Sequence, residues 1–497
     1  MQKDIDTAAC QLGVQTVRPI QRLVITHILE SALLSYDKEE DRINRYLILL
    51  PTGSGKSLCF QVPTLLLPHP SIIVFPLLSI LYDQERRFIE AGIPVFTLRG
   101  ALSNTKLESI FSSLTSHSIL LSNPETLLTE RVRRRIKNIR FSHMVIDEAH
   151  CVYEWGSSFR PAFKDLGILF EKCDISVLSA FTATADARTV QYLRSSLFLW
   201  KEYTLIQESP NRTNIHYRVC PSLSPTATLR NTFTQGNITY LDKKGVENHA
   251  PIIYPCIIFA NKRRLVERTA RLLQVILEKN EIFFYHAGLS EEEKHAVEKA
   301  FFKSTQGVLV ATCAYGMGID KPNIRTVIHL LPPLSLSAYL QESGRAGRDK
   351  KPAYAVLFFS PLRSYGDEID HYCTSCSCRR ETLLQHFGYK SELCSACDVC
   401  DQAKHRTEAL REILGCISAC PTCFTKKNVI ALLGGFLPRN IVQQIDPTFM
   451  WDGILSTWFP YEIEEALDQL IEHTILKAQG NMRNPILSLE KSFLHKK

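Results

Sequence analysis

Long apolar runs are missing from this sequence of 497 residues. The longest, "YLILLP" (46–51) and "SIIVFPLLSILY" (71–82), are short and broken by proline or polar residues. A membrane span needs about 20 consecutive apolar residues, so no membrane partner is expected. The opening "MQKDIDTAACQLG" lacks the apolar stretch of a secretory signal, and an intracellular protein is expected. Internal repeats and low-complexity tracts are also missing, which excludes a repeat array and a disordered chain. Charge shows little bias of sign: 58 Lys and Arg against 51 Asp and Glu give +7. That excess permits a polyanionic partner without requiring one. Hydrophobic residues at 45% and charged residues at 22% are ordinary globular values, and this length implies two to four domains.

Cysteine, by contrast, is plentiful. Of 16 cysteines, nine fall between Cys373 and Cys423 in close-spaced groups. In an intracellular chain such clusters bind metal more often than they form disulfides.

Two regions carry short apolar strands separated by helical stretches. The first holds 45–51, 71–76, 117–124, 143–147 and 175–181; the second holds 256–260, 281–287, 307–312, 326–331 and 353–359. Continuous apolar strands alternating with helices predict parallel sheets covered on both faces, hence two successive α/β domains. The connection near 205–250 is loosely patterned. Beyond 362 comes a cysteine-rich helical segment, and after 404 a small region of helices plus one hairpin.

In "LILLPTGSGKSLCF" a glycine-rich turn lies between a strand and a helix. Backbone N–H groups around Thr52, Gly53, Ser54 and Gly55 cradle phosphates at the helix start. Lys56 reaches the outer phosphates and the Ser57 hydroxyl binds Mg²⁺. The general pattern asks for Gly where this chain has Leu50. "MVIDEAH" presents a Mg²⁺-binding Asp147 at the end of an apolar strand, beside Glu148, suited to orient the attacking water. In "QESGRAGRDK" (341–350), Arg345 and Arg348 sit three apart in a turn, able to stabilise charge on a γ-phosphate from a second domain. ATP and Mg²⁺ follow as substrate and cofactor.

These motifs come in order with "LGVQTVRPIQ" (12–21), "FPLLSILYDQ" (75–84), "SNPETL" (122–127), "DEAHCVYEWGSSFRP" (147–161), "FTATA" (181–185), "FYHAGL" (284–289) and "VATCAYGMGIDKPNIRTVIH" (310–329). Together they resemble the superfamily 2 helicases, and within them the RecQ family. The resemblance implies two tandem RecA-like parallel-sheet domains (1–205 and 206–362), a helical zinc-binding module (363–404) and a small winged-helix domain (405–497). It implies an ATP-driven motor moving 3′ to 5′ on single-stranded DNA and unwinding tailed duplex in repair, recombination or replication. By the same carry-over Arg18 and Gln21 recognise adenine and Asp320 lies near the nucleotide. Thr182 and Thr184 couple the ATP site to movement, and Gln341 joins Arg345 and Arg348. Trp155, Phe159 and Arg160 in the loop after D-E-A-H are DNA contacts; aromatic rings stack on unpaired bases with little sequence preference. The compartment is cytoplasm in a bacterium and nucleus in a eukaryote.

"CRRETLLQHFG" followed by C-x2-C-x2-C resembles the RecQ zinc module, which gives Cys378, Cys394, Cys397 and Cys400 as ligands of a closed, structural Zn²⁺ site. Cys373-x2-Cys376 and Cys420-x2-Cys423 have the spacing of a second site, though buried free cysteines are commoner. In "PYEIEEALDQLIEHTILKAQG", Ile463, Leu467, Leu470 and Ile471 mark one helix face. A hairpin follows, with Asn481, Arg483 and Asn484 at its tip. The basic run "RVRRRIKNIR" (131–140) reads as a solvated helix face.

Two other readings stay open at this point. One is a DNA-binding scaffold with weak ATPase; the other is an RNA-directed motor, since discrimination at the 2′-OH leaves no motif. The chain departs from the family pattern at Ser157 and Ser158, where His and Asp are usual, at Glu154, where Gln is common, and at Val14, where an aromatic often stacks on adenine. These departures predict weakened stimulation of ATPase by single-stranded DNA and relaxed preference for ATP over GTP. Hydrolysis of both nucleotides with and without DNA checks this; strong stimulation with strict ATP preference overturns it.

Overall fold

The computed structural model describes residues 2–34, 44–76, 78–154, 165–278, 281–316, 321–390, 394, 396–419, 425–436, 450–480 and 485–490. It divides into two compact units, Met1–Asn211 with Leu384–Lys390, and Arg212–Leu383 with Ser391–Lys497. The three regions expected after residue 205 thus fall almost wholly within one unit.

The first unit is built on β1 (Arg45–Leu49), β2 (Ser71–Val74), β3 (Val95–Leu98), β4 (Ile119–Ser122), β5 (Phe141–Ile146), β6 (Ile175–Thr182) and β7 (Thr204–Gln207). They form one sheet in the order β3-β4-β2-β5-β6-β1-β7, every pair parallel. The five inner strands are those read from their apolar runs. β3 and β7 are the edges, half-exposed and of mixed composition, and carry no such run. Because β7 pairs with β1, this sheet ends at Gln207 and its unit at Asn211 rather than at 205. The basic run lies on helix Glu130–Ile136 and beyond, where Arg134, Arg135 and Arg140 face Glu130, Glu108 and Asp174, as a solvated face should.

In the second unit β8 (Ile215–Pro221), β11 (Cys256–Phe259), β12 (Ile282–Tyr285), β13 (Val308–Ala311), β14 (Thr326–His329) and β15 (Ala353–Phe359) form a parallel sheet in the order β12-β13-β11-β14-β15-β8. The period of two in a strand fills two cores: Ile257, Phe259, Leu309 and Ala311 pack on one face, Cys256, Ile258, Val308 and Val310 on the other. The segment expected as a loose connection is ordered. It holds edge strand β8, helix Pro225–Gln235 and a hairpin of β9 (Asn237–Leu241) with β10 (Glu247–Pro251). Its strands are polar on one side, which hid them.

Helices Leu410–Ala419, Lys426–Gly434 and Pro460–Glu472 precede an antiparallel pair, β16 (Leu476–Gln479) and β17 (Ile486–Leu489). Ile463, Leu467 and Leu470 are fully buried, with Ile471 packed beside them, as the helical spacing requires. The hairpin tip, Asn481, Arg483 and Asn484, lies outside the described residues. Arg230 ties this region to the second sheet's helix Pro225–Gln235. Its guanidinium donates to Glu462 at 3.2 and 2.5 Å and to the Thr457 carbonyl at 2.7 Å. Glu462 is 1% exposed.

An ion pair so buried costs more when broken than when never made. Arg230→Ala is expected to destabilise the second unit by about 3–5 kcal/mol, and Arg230→Met with Glu462→Leu to recover most of it. Denaturant unfolding of the two variants measures both.

Candidate active site

All strands of the first sheet are parallel, so their carboxyl ends open on one edge, where ligands of such sheets bind. β1 and β5 flank β6 there, which brings the two phosphate motifs together from 92 residues apart. The P-loop leaves β1 and enters helix Lys56–Leu66. Gly53 (φ 82°) and Gly55 (φ 78°) take left-handed backbone that side chains resist. A Cβ on Gly55 would also stand 2.5 Å from the Gln21 amide nitrogen. No side chain among the described residues caps the helix; Leu58 N–H turns back to Gly55 O at 3.1 Å, and the N–H groups before it are left without a side-chain acceptor, as an anion site requires.

Lys56 Nζ lies 3.4 Å from both Glu148 oxygens, each side chain largely buried. Asp147 is 8% exposed, and its Oδ1 has no hydrogen-bond partner among the described residues. Burial, then the neighbouring Glu148 charge, push its carboxyl up to about 7 against the pull of Lys56. A carboxylate held this way suits a cation. With Ser57 on the facing turn, the donor set is hard oxygen, which fits Mg²⁺. The turn is sewn to the sheet by Asp147 N–H to Val74 O (3.0 Å) and Ala149 N–H to Phe181 O (2.8 Å). Glu148 itself stands at φ 48°, a conformation costly for a side-chain-bearing residue.

His150 was not among the expected site residues, though it completes D-E-A-H. Its Nδ1 lies 3.0 Å from Thr182 Oγ1 and 3.5 Å from Glu148 Oε2. The Thr182 hydroxyl donates to Thr184 O at 2.9 Å, so the imidazole must be the donor to Thr182. Glu148 is thereby linked to both threonines of "FTATA".

Arg18 and Gln21 are brought onto the P-loop. The buried Gln21 amide donates to Ser54 O (2.7 Å) and Gly55 O (3.3 Å) and accepts from Arg18 N–H (2.9 Å). Arg18 Nη1 reaches Gly53 O at 3.3 Å. Their chemistry toward the loop is thus support of its carbonyls. Val14 is half-buried nearby in sequence. Trp155, Phe159 and Arg160, together with Ser157, Ser158 and Asp320, lie outside the described residues, as does the side chain of Glu154.

In the second unit Gln341 is half-buried at the end of helix Leu336–Ser343, and Arg345 and Arg348 follow in the turn to β15. Arg345 is 3% exposed. Glu342 accepts from His329 Nε2 at 2.8 Å, which fixes that helix to the end of β14. Arg325 pairs with Asp349 at 2.5 Å on the far side of the turn. Arg212 and Asn214, also not foreseen, donate to the turn's carbonyls.

Cys378, Cys394, Cys397 and Cys400 have their sulfurs within 4.8 Å of one another. A tetrahedron of Zn–S bonds sets sulfurs about 3.8 Å apart, so the four fit a thiolate-held metal with small adjustment. Their segment edges the second sheet: Tyr217 of β8 bridges Cys397, and Asp398 N–H donates to Tyr217 O at 3.0 Å. Cys373 is buried in the apolar core, which pushes its thiol up to about 12, while Cys376 is exposed. Cys420 and Cys423 lie outside the described residues. No helix among the described residues is long and apolar enough to cross a membrane.

Comparison with known proteins is consistent with this geometry. Residues 18–193 match the DEAD/DEAH box helicase family, and 247–350 match the helicase conserved C-terminal domain. The ATP-dependent DNA helicase RecQ of Pasteurella multocida (strain Pm70) is 31% identical, over 99% of this chain and 77% of its own. That of Bacillus subtilis (strain 168) is 28% identical, over 86% and 74%. Among solved structures, the DUF1998 helicase MrfA bound to DNA has a TM-score of 0.56 at 18% identity, covering 99% of this chain and 63% of its own. The DEAD-box helicase Mss116 bound to ssRNA and UDP-BeF has 0.55 at 19%, covering 72% and 73%; both likenesses concern the fold. A relative of 31% identity aligned across nearly the whole length settles the family: the chain belongs to the RecQ family of superfamily 2 DNA helicases.

Proposed function

We propose that the chain is an ATP-dependent DNA helicase that moves 3′ to 5′ on single-stranded DNA and opens tailed duplex. The observation that carries the reading is the meeting of Lys56 and Glu148 beside an Asp147 oxygen that has no hydrogen-bond partner among the described residues, at one sheet edge. The Gly53–Gly55 turn and the N–H groups at the start of helix Lys56–Leu66 hold the phosphates of ATP, the Ser54 N–H being held by Pro51 O at 3.0 Å. Lys56 leaves Glu148 for the outer phosphates, whose greater charge attracts it more strongly. Glu148, released, orients a water against the γ-phosphorus. The water oxygen bonds to phosphorus, the bond to the bridging oxygen breaks toward ADP, and the water's proton passes to Glu148 or to the phosphate. Asp147 and Ser57 would hold Mg²⁺, which when bound neutralises charge on the β- and γ-phosphates. Arg345 and Arg348, with Gln341 beside them, answer the charge that develops on the transferred group.

Arg18 and Gln21 serve the adenine end, and Asp320 lies by the nucleotide. Coupling to DNA runs from Trp155, Phe159 and Arg160 to Glu148, with the His150–Thr182–Thr184 bonds as its relay on the sheet side. The domain scheme of this reading is two RecA-like domains, a zinc module on Cys378, Cys394, Cys397 and Cys400, and a winged-helix region after 404. The compartment is that of the genome, cytoplasm or nucleus.

Strand displacement on 3′-tailed, 5′-tailed and blunt DNA, and on tailed RNA, tests the activity. Opening of 3′-tailed DNA alone, lost with Glu148→Gln while ATP still binds, is expected. ATPase without opening would favour a scaffold, and opening of RNA an RNA motor.

Metal analysis is expected to find one zinc per chain, as one four-thiolate site requires. Cys397→Ser should lose the zinc and lower the thermal midpoint, since structural metal binding is folding energy. Two zincs per chain would revive a second site at Cys373, Cys376, Cys420 and Cys423.

A further inference from the structure

The turn bearing Arg345 and Arg348 makes some hydrogen bonds of its own, Arg345 N–H to Glu342 O at 3.2 Å and Ala346 N–H to Ser343 O at 3.0 Å, and Gly347 N–H reaches Ile324 O, ahead of β14, at 2.8 Å. Its carbonyls are held differently. The Arg212 guanidinium donates to Gly344 O (3.3 Å), Ala346 O (3.1 Å) and Gly347 O (2.6 Å). Two residues on, the Asn214 amide donates to Gly347 O (2.8 Å) and Lys351 O (2.7 Å). Gly347 is left-handed at φ 54°, and a Cβ there would meet Asn214 Nδ2 at 2.4 Å. Both Arg345 and Arg348 are therefore bracketed by carbonyls that Arg212 or Asn214 grips.

Arg212 is anchored in turn. Arg380, 2% exposed, donates to the Arg212 carbonyl at 2.6 Å and to the Ile215 carbonyl at 2.7 Å. Arg380 lies two residues from Cys378, and its guanidinium stands beside the Cys394 sulfur. Next to it Arg379 pairs with Asp398 at 3.0 Å, and the other Asp398 oxygen accepts from Val219 N–H at 3.1 Å. A continuous run of buried contacts thus joins the four-thiol segment to the start of β8 and from there to the arginine turn.

We infer that Arg212 is a positioning residue for Arg345 and Arg348, with Asn214 as its second grip and Arg380 as its anchor in the cysteine segment. The guanidinium is planar with five donors in a fixed fork, so it can set three carbonyls at once; a lysine ammonium in its place can keep the charge but not that geometry. The inference rests on the reading of Arg345 and Arg348 as γ-phosphate residues.

The test is steady-state ATPase with single-stranded DNA on the full chain, comparing Arg212→Ala, Arg212→Lys, Asn214→Ala, Arg380→Ala and the double Arg345→Ala/Arg348→Ala. Displacing a transition-state group by about 1 Å costs on the order of a hundredfold. Arg212→Ala is expected to lower kcat by about that factor with KM for ATP within about twofold, because the phosphate cradle of the first unit is untouched. Arg212→Lys should stay low, Arg380→Ala should fall in the same direction, and free guanidinium at millimolar concentration should restore part of the Arg212→Ala rate. Zinc content and thermal midpoint report folding alongside. Should Arg212→Ala not fold, Arg212→Lys and Asn214→Ala carry the test. If both keep kcat within about twofold while the double arginine variant is dead, the positioning role is overturned and the reading of the arginines stands. If the double variant turns over normally, the reading of those arginines falls, and the positioning role with it.

Discussion

An open parallel sheet with both faces covered has only its strand ends left for polar chemistry, and this constraint organises both units. In the first, β1 and β5 deliver Lys56 and Asp147–Glu148 to the same edge because β6 lies between them and all three run one way. The interior of that sheet is dry, so charge placed at its rim is poorly solvated and must be matched. Lys56 matches Glu148. Asp147 is left with a buried oxygen that nothing among the described residues satisfies, and its carboxyl is pushed up accordingly. A site with this imbalance gains stability from a cation and from phosphate together, which is what a nucleotide brings.

The second unit uses arginine for a different purpose. Arg212, Arg380 and Arg230 each direct a guanidinium at backbone carbonyls, and Arg230 and Arg379 also hold a buried carboxylate. Turns and helix ends leave carbonyls without partners, and a guanidinium, with five donors in a fixed fork, can satisfy two or three of them from one position. β8 is where the contacts of Arg380 and Asp398 converge. It is an edge strand, and an uncovered edge invites unwanted pairing. The cysteine segment covers it through the Tyr217–Cys397 bridge and the Asp398 bonds. The covering module is thereby wired to the turn one strand away, since Ala353 at the start of β15 donates to Asn214 O at 3.0 Å.

What could be read from the sequence follows the reach of each signal. The inner strands announce themselves because both faces are buried and most of their residues are apolar; β3, β7 and β8 do not, because an edge strand is allowed polar residues on one side. The P-loop, D-E-A-H and C-x2-C-x2-C are contiguous, and their chemistry is local. Arg212 and Arg380 were invisible. Their targets are carbonyls, which any residue supplies, and Arg212 finds them 132 to 135 positions away. His150 was in view but carried no role until Thr182 appeared opposite it. Gln21 shows a subtler limit: the motif names the residue, while only the fold reveals that its amide holds the carbonyls of Ser54 and Gly55.

Glu148 brings these strands of argument to one atom group. Its backbone is held at φ 48° by bonds from Asp147 and Ala149 to the sheet on either side, so the strain cannot relax without unpicking strand ends. Its carboxylate is bound to Lys56 and lies 3.5 Å from His150. In that state both its oxygens are engaged by Lys56, while the His150 Nδ1–H is given to Thr182. On the proposed reading an arriving γ-phosphate would take Lys56 away and leave His150, which donates to Thr182, as the remaining neighbour. The fixed backbone means that only the side chain must turn. A small rotation, gated by charge on one side and by the threonine strand on the other, is the kind of two-position element through which hydrolysis and movement can be made to depend on each other.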